Sequence, residues 1–377
     1  MSRILLLADA ASEHTQKWAI GLAQNGIEVG VFSFNKSIDN WHQEIPAIKI
    51  LFQPNKKNAA DSLLTKLLYL KYVCKLKKII AQFKPDIVHA HYATSYGLIG
   101  RLSGFHPFII SVWGTDVMRF PQQNFINKKI LKNNFKKADV ICATSHTIKN
   151  YIHQIIDKPV EIIPFGVDCT VFTPHKFSRK YPEDTFVIGC VKSLEDVYRI
   201  DVLIHAFKIV FDNSQNKNMK LLIVGGGSKR TQLKDLCSKL QIEQQVEFTG
   251  KIPHMEVVNY FNSIDVLCNL SDYESFGVSV IEAMACEVPV IATNTGGLKE
   301  IIETENLGLL VKTNNINETV NAIQLLMDNK DIRKKISYNA KQHVLNKYNW
   351  QNNINSMIAI YRRIAMKNDL IPSAHIV

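Results

Sequence analysis

Short apolar segments alternate with longer segments of helical periodicity along the whole chain of 377 residues. Each apolar segment has the length of a strand that is buried on both faces of a sheet. The segments between them place apolar residues three and four positions apart, as the buried side of a helix requires. This alternation predicts parallel sheets built from strand–helix units, and therefore an α/β fold.

The pattern occurs twice along the chain. In the first half it predicts strands at Ile4–Ala8, Glu28–Phe34, Ile87–Ala90, Phe108–Val112, Val140–Ala143 and Val160–Ile163, with helices near 14–25, 61–83, 95–103, 125–137 and 145–156. In the second half it predicts strands at Phe186–Val191, Lys220–Val224, Val246–Thr249, Val266–Asn269, Val288–Ala292 and Gly308–Val311, with helices near 201–212, 230–240, 254–262, 278–286, 317–326 and 331–346. The chain is long enough for two domains of this layered type.

A segment without periodicity separates the two halves. Residues 164–182, PFGVDCTVFTPHKFSRKYP, are rich in proline, glycine and charge, as is typical of a linker. The predicted domains are therefore 1–170 and 175–349. A last helix is predicted at about 350–377, and from its sequence alone it could pack on either domain.

The composition is that of a globular protein, with 46% hydrophobic and 21% charged residues. No segment approaches the ~20 apolar residues of a membrane span. The apolar run near the N-terminus is too short for a secretory signal. Seven cysteines are scattered without the spacing of metal ligands, so we expect reduced thiols in a cytoplasmic protein and no bound metal.

The net charge of +11 favours an anionic partner. No recognisable nucleic-acid-binding motif is present, so we expect no nucleic acid partner. Segment 62–84 combines apolar residues at helical spacing with Lys66, Lys71, Lys75, Lys77, Lys78 and Lys84, and a second cluster holds Lys128, Lys129, Lys132, Lys136 and Lys137. Such a basic helix could lie on an anionic membrane surface. Alternatively, its apolar side packs on the sheet and its lysines are simply solvated.

The most informative segment is 270–297, LSDYESFGVSVIEAMACEVPVIATNTGG. Glu274 lies in a loop that enters an apolar helix, Glu282 lies within that helix, and an apolar strand follows at 288–292. Unsatisfied backbone N–H groups at the N-terminus of a helix bind phosphate. Carboxylates would repel phosphate, but they accept hydrogen bonds from the hydroxyls of ribose and of a sugar. The segment therefore predicts a nucleotide-sugar site.

This segment resembles the E-x7-E signature of retaining glycosyltransferases of family 4, also called glycosyl transferases group 1. The match extends through E-S-F-G-x4-E-A-M-A and P-V-I-A-T. The resemblance implies the GT-B fold, in which two Rossmann-like domains with parallel sheets face an interdomain cleft. It also implies that the N-terminal domain binds the acceptor, that the C-terminal domain binds the nucleotide sugar, and that the last helix packs back on the N-terminal domain.

The resemblance assigns roles in the donor site. Glu282 would accept hydrogen bonds from the ribose, and Glu274 from the transferred sugar. Lys192 stands near the position of an Arg that holds the diphosphate in relatives, and Tyr198-Arg199 occupies the place of their Lys-Gly pair. Lys192, with Arg199 as a second candidate, would therefore stabilise the departing diphosphate. The remaining predicted donor-site residues are Ser275, Phe276, Gly277, Val278, Gly225, Gly226, Thr249 and Gly250.

Residues after the first and third predicted strands are candidates for the acceptor side. His91 matches a His that lies by the transferred sugar in the family. His89 lies on the same face of the strand as His91, and we expect it to lie behind His91 or in the core. His14 and Thr15 would line the interdomain cleft, although Ser12 or Thr15 could instead cap the following helix.

Gly114 and Asp116 resemble the family's W-G-S-D segment after the next strand. Asp116 could accept a hydroxyl of the sugar or acceptor, or orient His91. Alternatively, its carboxylate satisfies backbone N–H groups of its own turn. A further departure from the family is Glu287, where relatives commonly have a Gly at the end of the helix, and which suggests a slightly different turn.

The predicted activity is the transfer of a hexose-type sugar from a nucleotide sugar, with UDP favoured over GDP, to a glycan or lipid-linked acceptor. By resemblance, the configuration is retained and no metal or other cofactor is needed. A role in bacterial surface polysaccharide or lipopolysaccharide synthesis is expected, with the enzyme cytoplasmic or peripheral on the inner face of the membrane. The alternatives are a non-catalytic sugar-nucleotide-binding relative, a sugar-nucleotide epimerase, or a phosphorylase.

Overall fold

The computed structural model describes residues 2–38, 40–54, 63–175 and 179–369, and of 63–70 and 367–369 the backbone only. The described chain divides into two compact units. The first contains the described residues up to Pro164 together with those from Asn353 onward, and the second runs from Phe165 to Asn352. As folding domains, the ranges 1–170 and 175–349 stay a prediction.

The first unit contains a seven-stranded sheet. Its strands are β1 (Arg3–Leu7), β2 (Glu28–Phe32), β3 (Ile48–Phe52), β4 (Ile87–His91), β5 (Phe108–Val112), β6 (Val140–Ala143) and β7 (Val160–Ile162). They lie in the order β3-β2-β1-β4-β5-β6-β7, and all neighbours are parallel. The strand order reverses between β1 and β4, which is where ligands bind in open α/β sheets.

Helices connect these strands, as parallel pairing requires. They are α1 (Glu13–Gln24), α2 (Leu63–Phe83), α3 (Ser95–Ser103), α4 (Thr115–Met118), α5 (Phe120–Gln123), α6 (Phe125–Lys137) and α7 (His146–His153). Because the strands are covered on both sides, apolar residues such as Ile4, Leu5 and Leu6 of β1 are completely buried.

The second unit contains a six-stranded parallel sheet. Its strands are β8 (Phe186–Val191), β9 (Met219–Val224), β10 (Val246–Gly250), β11 (Val266–Asn269), β12 (Val290–Thr293) and β13 (Leu309–Val311), in the order β10-β9-β8-β11-β12-β13. Its helices are α8 (Ile200–Asn213), α9 (Arg230–Lys239), α10 (Val257–Phe261), α11 (Val278–Ala285), α12 (Leu298–Ile301), α13 (Ile316–Asp328) and α14 (Lys330–Lys347). Here the strand order reverses between β8 and β11.

The last helix is α15 (Trp350–Asp369), and its residues from Asn353 belong to the first unit. The Tyr361 hydroxyl lies 2.7 Å from Nδ1 of His89 on β4. Arg363 forms an ion pair with Glu161 of β7, at 2.6 Å. This part of α15 therefore packs on the first sheet, while the part of the predicted helix at 370–377 lies outside the described residues.

The predicted class, two Rossmann-like parallel sheets, is confirmed. The sequence pattern misses β3 and the short helices α4, α5 and α12. Strand β3 lies at the edge of its sheet, where Lys49 is exposed and forms an ion pair with Glu28 of β2, at 2.7 Å. A half-solvated edge strand lacks the continuous apolar run by which the central strands are predicted.

In the described part of α2, the predicted apolar stripe is core and the lysines are exposed. Leu76, Ile79 and Phe83 are buried. The exposed lysines on and just after this helix are Lys71, Lys75, Lys77, Lys78 and Lys84. Residue 62 and the side chain of Lys66 lie outside the described residues. None of the described helices combines the length and the apolar character needed to cross a membrane.

Candidate active site

Lys192 and Glu274 meet at the point where the strand order of the second sheet reverses. Lys192 follows β8 directly, and Glu274 lies in the loop after β11, the neighbouring strand. The Lys192 ammonium donates a hydrogen bond to the Glu274 carboxylate. Each side chain is 13% exposed. The carboxyl ends of neighbouring parallel strands thus bring a cation and an anion together where ligands bind in such sheets.

The surroundings keep Lys192 charged. Burial acts to lower the pKa of Lys192, but the neighbouring Glu274 carboxylate outweighs it and leaves this pKa above its ordinary value. The ammonium also lies 4.8 Å from the centre of the Tyr198 ring, whose face attracts a cation. Lys192 is therefore a fixed positive charge that would attract an anionic ligand at this position.

Two glycines hold the loop that carries Glu274. The Gly297 N–H donates a hydrogen bond to the Glu274 carbonyl, at 2.9 Å. A Cβ on Gly296 would lie 2.0 Å from the same carbonyl oxygen, and a Cβ on Gly297 would lie 2.5 Å from the Cα of Phe276. Larger residues at these positions would therefore displace the loop. Nothing in the local sequence indicates this role, because the contacts depend on how the loop after β12 meets the loop after β11.

We expect Gly296→Ala to lower the rate of the predicted sugar transfer by about 10²-fold, because Glu274 is predicted to contact the sugar and a displacement of about 1 Å at such a group has that effect. Gly296 also has a positive φ of 47°. The control is Gly104→Ala, because Gly104 has a φ of 73° but has nothing within 4 Å of its Cβ position. Rates of nucleotide release from the predicted nucleotide-sugar donor are compared for the two variants. Equal losses would attribute the effect to backbone strain rather than to the Glu274 loop.

Helix α11 begins directly after this loop. Its N-cap residue, Gly277, has a φ of 114° and no side chain that could occupy the first backbone N–H groups. A Cβ there would lie 2.8 Å from Cδ2 of Leu298. Phe276 is buried against the rings of Phe165 and Tyr348, so its side chain anchors the loop. The N-terminus of α11, which includes Val278, is thus shaped to receive an anion on its backbone.

Glu282 lies inside α11 and is 4% exposed. Its carboxylate lies 2.7 Å from Nε2 of His254, and the His254 ring lies 5.3 Å from the ring of Phe172. His254 opens a single 3-10 turn after β10. The sequence pattern did not single out His254 as a site residue, although its position after a strand of the same sheet is the signal that could have found it.

The glycine loop after β9 packs against the chain that follows β8. Gly225 has a φ of 140°, and a Cβ there would lie 1.9 Å from the Lys192 carbonyl oxygen. The Gly226 carbonyl accepts a hydrogen bond from the Leu194 N–H, at 3.0 Å. Gly225 is therefore required by the approach of the protein's own backbone, and its contact with a donor stays a prediction. Contact of Gly226 with a donor stays a prediction.

Thr249 and Gly250 end β10 beside this loop. The Gly225 N–H donates a hydrogen bond to the Gly250 carbonyl, at 3.0 Å. The Thr249 hydroxyl donates to the same carbonyl, at 2.9 Å. Both residues are half-buried. They lie at the carboxyl edge of the sheet, and their contact with a nucleotide base stays a prediction.

Arg199 is held by two carboxylates. Its guanidinium donates two hydrogen bonds to Asp201, at 3.1 and 2.8 Å, and lies 3.6 Å from Asp272. The bonds to Asp201 raise the pKa of Arg199. The backbone of Arg199 is in the left-handed region, with a φ of 48°, which suits the Gly that the family resemblance implies at this place. Its contact with a diphosphate stays a prediction.

In the first unit, His91 ends β4 beside the strand-order reversal. It is 2% exposed, and its Nδ1 has no hydrogen-bond partner among the described residues. The His91 ring lies 4.8 Å from that of Trp113 and 4.7 Å from that of His89. Burial, and then the neighbouring His89 and His14, hold the pKa of His91 well below its ordinary value. His91 is therefore a neutral imidazole.

His89 lies on the same side of β4 and is fully buried. Its two nitrogens lie within hydrogen-bond distance of the Tyr361 and Ser111 hydroxyls, at 2.7 and 2.8 Å. Burial lowers the pKa of His89 to about 3. His89 is thus a core residue directly behind His91, as the sequence indicates.

The loop and helix after β1 place His14 and Thr15 differently. The His14 ring is half-buried and lies 5.6 Å from that of Trp113. Thr15 is completely buried inside α1. Ser12 stands at the N-cap position, but its side chain makes no capping hydrogen bond, and Thr15 lies within the helix, so the capping alternative is wrong for both. Ligand contacts of His14 and Thr15 stay predictions.

Asp116 connects the loops after β4 and β5. Its carboxylate accepts hydrogen bonds from the N–H groups of Ala93 and Gly114, at 3.0 and 2.9 Å. Burial raises the pKa of Asp116, against the effect of these backbone bonds. The Asp116 carboxylate therefore satisfies backbone N–H groups, as the second of the two interpretations from the sequence expects. A contact of Asp116 or Gly114 with a sugar hydroxyl stays a prediction.

Comparison with known proteins identifies the family. Residues 171–343 match the family model described as glycosyl transferases group 1, and residues 3–145 match the model described as glycosyl transferase 4-like. The chain belongs to the group 1 glycosyltransferases. N-acetyl-alpha-D-glucosaminyl L-malate synthase of Bacillus anthracis is 26% identical over 306 residues, which cover 78% of each chain.

Solved structures show that this glycosyltransferase has the GT-B fold. Sucrose-phosphate synthase from Thermosynechococcus elongatus aligns with a TM-score of 0.85 at 22% identity, over 97% of this chain and all of that chain (100%). Alr3699/HepE from Anabaena, solved in complex with UDP-glucose, aligns with a TM-score of 0.74 at 18% identity, over 98% of this chain and 100% of its own. The predicted family, fold and transferase class are confirmed.

The turn after α11 corrects one expectation about this glycosyltransferase. Glu287 has a φ of 58°, which is the left-handed conformation that Gly adopts at this position. The Glu287 N–H donates to the Met284 carbonyl, at 3.0 Å, and the Val288 N–H to that of Ala283, at 2.9 Å. Both bonds define the usual helix-ending motif. The turn is therefore unchanged, and the suggestion of a different turn is wrong.

We expect Glu287→Gly to raise the melting temperature, because a non-glycine residue in the left-handed region costs about 1 kcal/mol or more. The ion pair of Glu287 with Lys341, at 2.8 Å, is lost in this variant, but surface pairs contribute at most about 1 kcal/mol. Glu287→Ala is the control, since it loses the same ion pair and keeps the strain. It should melt below the wild type. A glycine variant that melts no higher than the alanine variant would contradict this explanation.

No group of three or more His, Cys, Asp or Glu side chains is placed to hold a metal ion within the described ranges. Independence from metals and cofactors stays a prediction.

Proposed function

We propose that this glycosyltransferase transfers a hexose from a nucleotide sugar to an acceptor hydroxyl with retention of configuration and without a metal. The observation that carries the proposal is the Lys192–Glu274 pair beside the N-terminus of α11. A cation and helix N–H groups suit the diphosphate, and a carboxylate suits the sugar hydroxyls. All three lie in the second unit, at the carboxyl ends of β8 and β11.

Each group would have a distinct part in the reaction. Glu282 accepts hydrogen bonds from the ribose, and Glu274 from the transferred sugar. When the bond between the anomeric carbon and the diphosphate breaks, negative charge develops on the departing oxygen, and Lys192 stabilises it. The acceptor oxygen bonds to the anomeric carbon from the same face, and its proton passes to the departing phosphate. Atoms and charge balance without a metal.

In the first unit, His91 would contact the sugar. A buried, neutral imidazole can donate one hydrogen bond and accept another without adding charge. His89, fixed by Tyr361 and Ser111, holds the position of the His91 ring from behind.

We favour UDP as the nucleotide and a glycan or lipid-linked acceptor. A fold neighbour solved in complexes with UDP and UDP-glucose supports the first choice. The exposed lysines of α2 support an acceptor at an anionic membrane surface. A place in bacterial polysaccharide or lipopolysaccharide synthesis, on the cytoplasmic face of the membrane, would follow from such an acceptor.

The test is thermal stabilisation of the purified protein by UDP, GDP, ADP and CMP. A ligand that binds the folded state raises the melting temperature. We expect the largest shift with UDP, and we expect Glu282→Ala to remove it. Glu305→Ala, which alters an exposed carboxylate of the same unit, should keep the shift. No shift with any nucleotide would overturn the proposal in favour of a non-catalytic relative.

We further expect His254→Phe to weaken UDP binding about tenfold. Loss of the imidazole leaves the buried Glu282 carboxylate without this partner, at a cost of about 1–3 kcal/mol, and frees it to rotate. His254→Gln can still donate a hydrogen bond and should recover most of the affinity. Dissociation constants from isothermal titration calorimetry provide the comparison. Wild-type affinity in the Phe variant would show that His254 does not orient Glu282.

A further inference from the structure

The outer side of α6 carries exposed apolar residues beside exposed lysines. Phe125 and Ile126 begin this helix and are 76% and 66% exposed. The exposed lysines of the helix are Lys128, Lys129, Lys132, Lys136 and Lys137. Segment 119–137 contains no Asp or Glu. We call the exposed residues Phe125, Ile126, Lys128, Lys129, Lys132 and Lys136 the α6 face.

The members of the α6 face lie on one side of the helix. Residues three or four positions apart are neighbours on a helix surface. Starting from Phe125, such steps lead through Lys128 or Lys129 to Lys132 and then to Lys136. Lys128 and Lys136 are eight residues apart on this helix, so this row of positive charge is about 12 Å long. Within the described residues none of these lysines forms an ion pair, so their charge faces solvent.

The inner side of α6 fixes this surface relative to the first sheet. Leu131 and Phe135 are fully buried, and the Asn124 side chain caps the helix by accepting from the Asn127 N–H, at 2.8 Å. Nδ2 of Asn134 donates to the Ala93 carbonyl, at 2.8 Å. Ala93 lies in the loop that follows His91. The α6 face is therefore held rigidly on the same unit as the predicted sugar-contacting histidine.

We propose that the α6 face docks on an anionic lipid bilayer, with Phe125 and Ile126 in the interfacial region and the lysines on the headgroups. Exposed aromatic and aliphatic side chains next to lysines are what an amphipathic helix uses at such a surface. A polyanion such as a nucleic acid would use the lysines but would leave the two apolar side chains in water. Bilayer docking accounts for both. The α6 face is a membrane surface in addition to the exposed lysines of α2. Docking of this face does not depend on which sugar is transferred.

The test is binding to vesicles, measured by flotation with the full-length protein. The vesicles contain either phosphatidylcholine alone or phosphatidylcholine with phosphatidylglycerol. Lysine attraction to headgroups is screened by salt, whereas insertion of apolar side chains is not. We therefore expect the wild type to bind the anionic vesicles and to keep part of this binding at high salt.

Two variants separate the charged and apolar parts. The quadruple variant K128Q/K129Q/K132Q/K136Q should reduce binding to anionic vesicles at least tenfold. The control K234Q/K239Q/K330Q/K334Q removes the same charge from exposed lysines of the second unit and should bind like the wild type. The double variant F125S/I126S should lose the binding that resists salt.

Three results would overturn the docking surface. In the first, the wild type does not bind anionic vesicles. In the second, the two quadruple variants lose vesicle binding equally. In the third, F125S/I126S keeps the same salt-resistant vesicle binding as the wild type. If F125S/I126S binds as well as the wild type both to anionic vesicles and to dextran sulfate, the α6 face is a general polyanion-binding surface instead. Melting curves with UDP for every variant show whether the fold and the donor site are intact. They also keep a failure of docking distinct from a failure of the proposed function.

Discussion

Glu274→Gln should lower the rate of UDP release from a UDP-sugar by about 10³-fold, in line with the loss of one preorganised transition-state contact. A glutamine amide at this position can still accept a hydrogen bond from Lys192, so the packing of the pair is kept. It has no negative charge with which to hold the sugar hydroxyls as positive charge develops on the ring. The loss should therefore appear mainly in kcat, with a smaller rise in KM from the sugar contact that is lost in the ground state.

The stability of the variants checks that the effect is chemical. Loss of one partner of a buried ion pair costs about 3–5 kcal/mol, and the Lys192–Glu274 pair is partly solvated, so we expect Glu274→Ala to cost less than this. Glu274→Gln should melt close to the wild type, whereas Glu274→Ala should melt lower. Full activity in either variant would show that the Glu274 assignment is wrong.

Lys192→Met should lower kcat for UDP release by about 10²–10³-fold, since one charged donor to the leaving group is removed from a site that excludes much of the water. The thioether side chain is close in length and fills the space next to Tyr198. Without the ammonium, Glu274 is left as an unpaired carboxylate that repels the diphosphate. UDP affinity should therefore also fall, in contrast to Glu274→Gln.

Lys192→Arg provides a conservative control, because it keeps the positive charge. We expect it to recover part of the rate. Lys299→Met, at an exposed position on α12, removes a positive charge from the same unit and should leave the rate unchanged. A Lys192→Met variant with wild-type kcat would exclude this lysine from leaving-group stabilisation and would turn attention to Arg199.

The parts of the site that follow strands could be predicted from the sequence. Lys192, Glu274 and His91 each come after an apolar strand, and parallel strands place such positions on one edge of a sheet. The two parallel sheets followed from the alternation of strands and helices, and the GT-B fold was implied by the resemblance of the E-S-F-G…E-A-M-A segment to family 4 glycosyltransferases. These predictions use periodicity and order along the chain, which the sequence shows directly.

Contacts between distant segments could not be predicted in this way. The partner of Glu282 is His254, and the loop of Glu274 is held by Gly296 and Gly297. Each contact depends on where a loop end arrives in space, which composition and spacing do not encode. The support of His89 by Tyr361 comes from α15, 272 positions along the chain.

The positions at which the chain departs from its family illustrate a different limit. Arg199 and Glu287 stand where the family resemblance implies glycine, and the sequence suggested altered local structure at Glu287. Both residues instead adopt the left-handed conformation of the glycine they replace. The surrounding structure sets the backbone there, and the side chains are accommodated by Asp201 and Lys341. Local preference is thus overridden by tertiary context.

The measurement that tests the central claim most directly is calorimetric titration of UDP, and of the UDP-hexose that gives the largest thermal shift, into the wild type, Glu282→Gln and Glu274→Gln. Our account assigns the ribose to Glu282 and the sugar to Glu274. It predicts that Glu282→Gln weakens the binding of both ligands, whereas Glu274→Gln binds UDP normally and loses the additional affinity contributed by the hexose. Wild-type affinities for both ligands in both variants would contradict this account of the donor site.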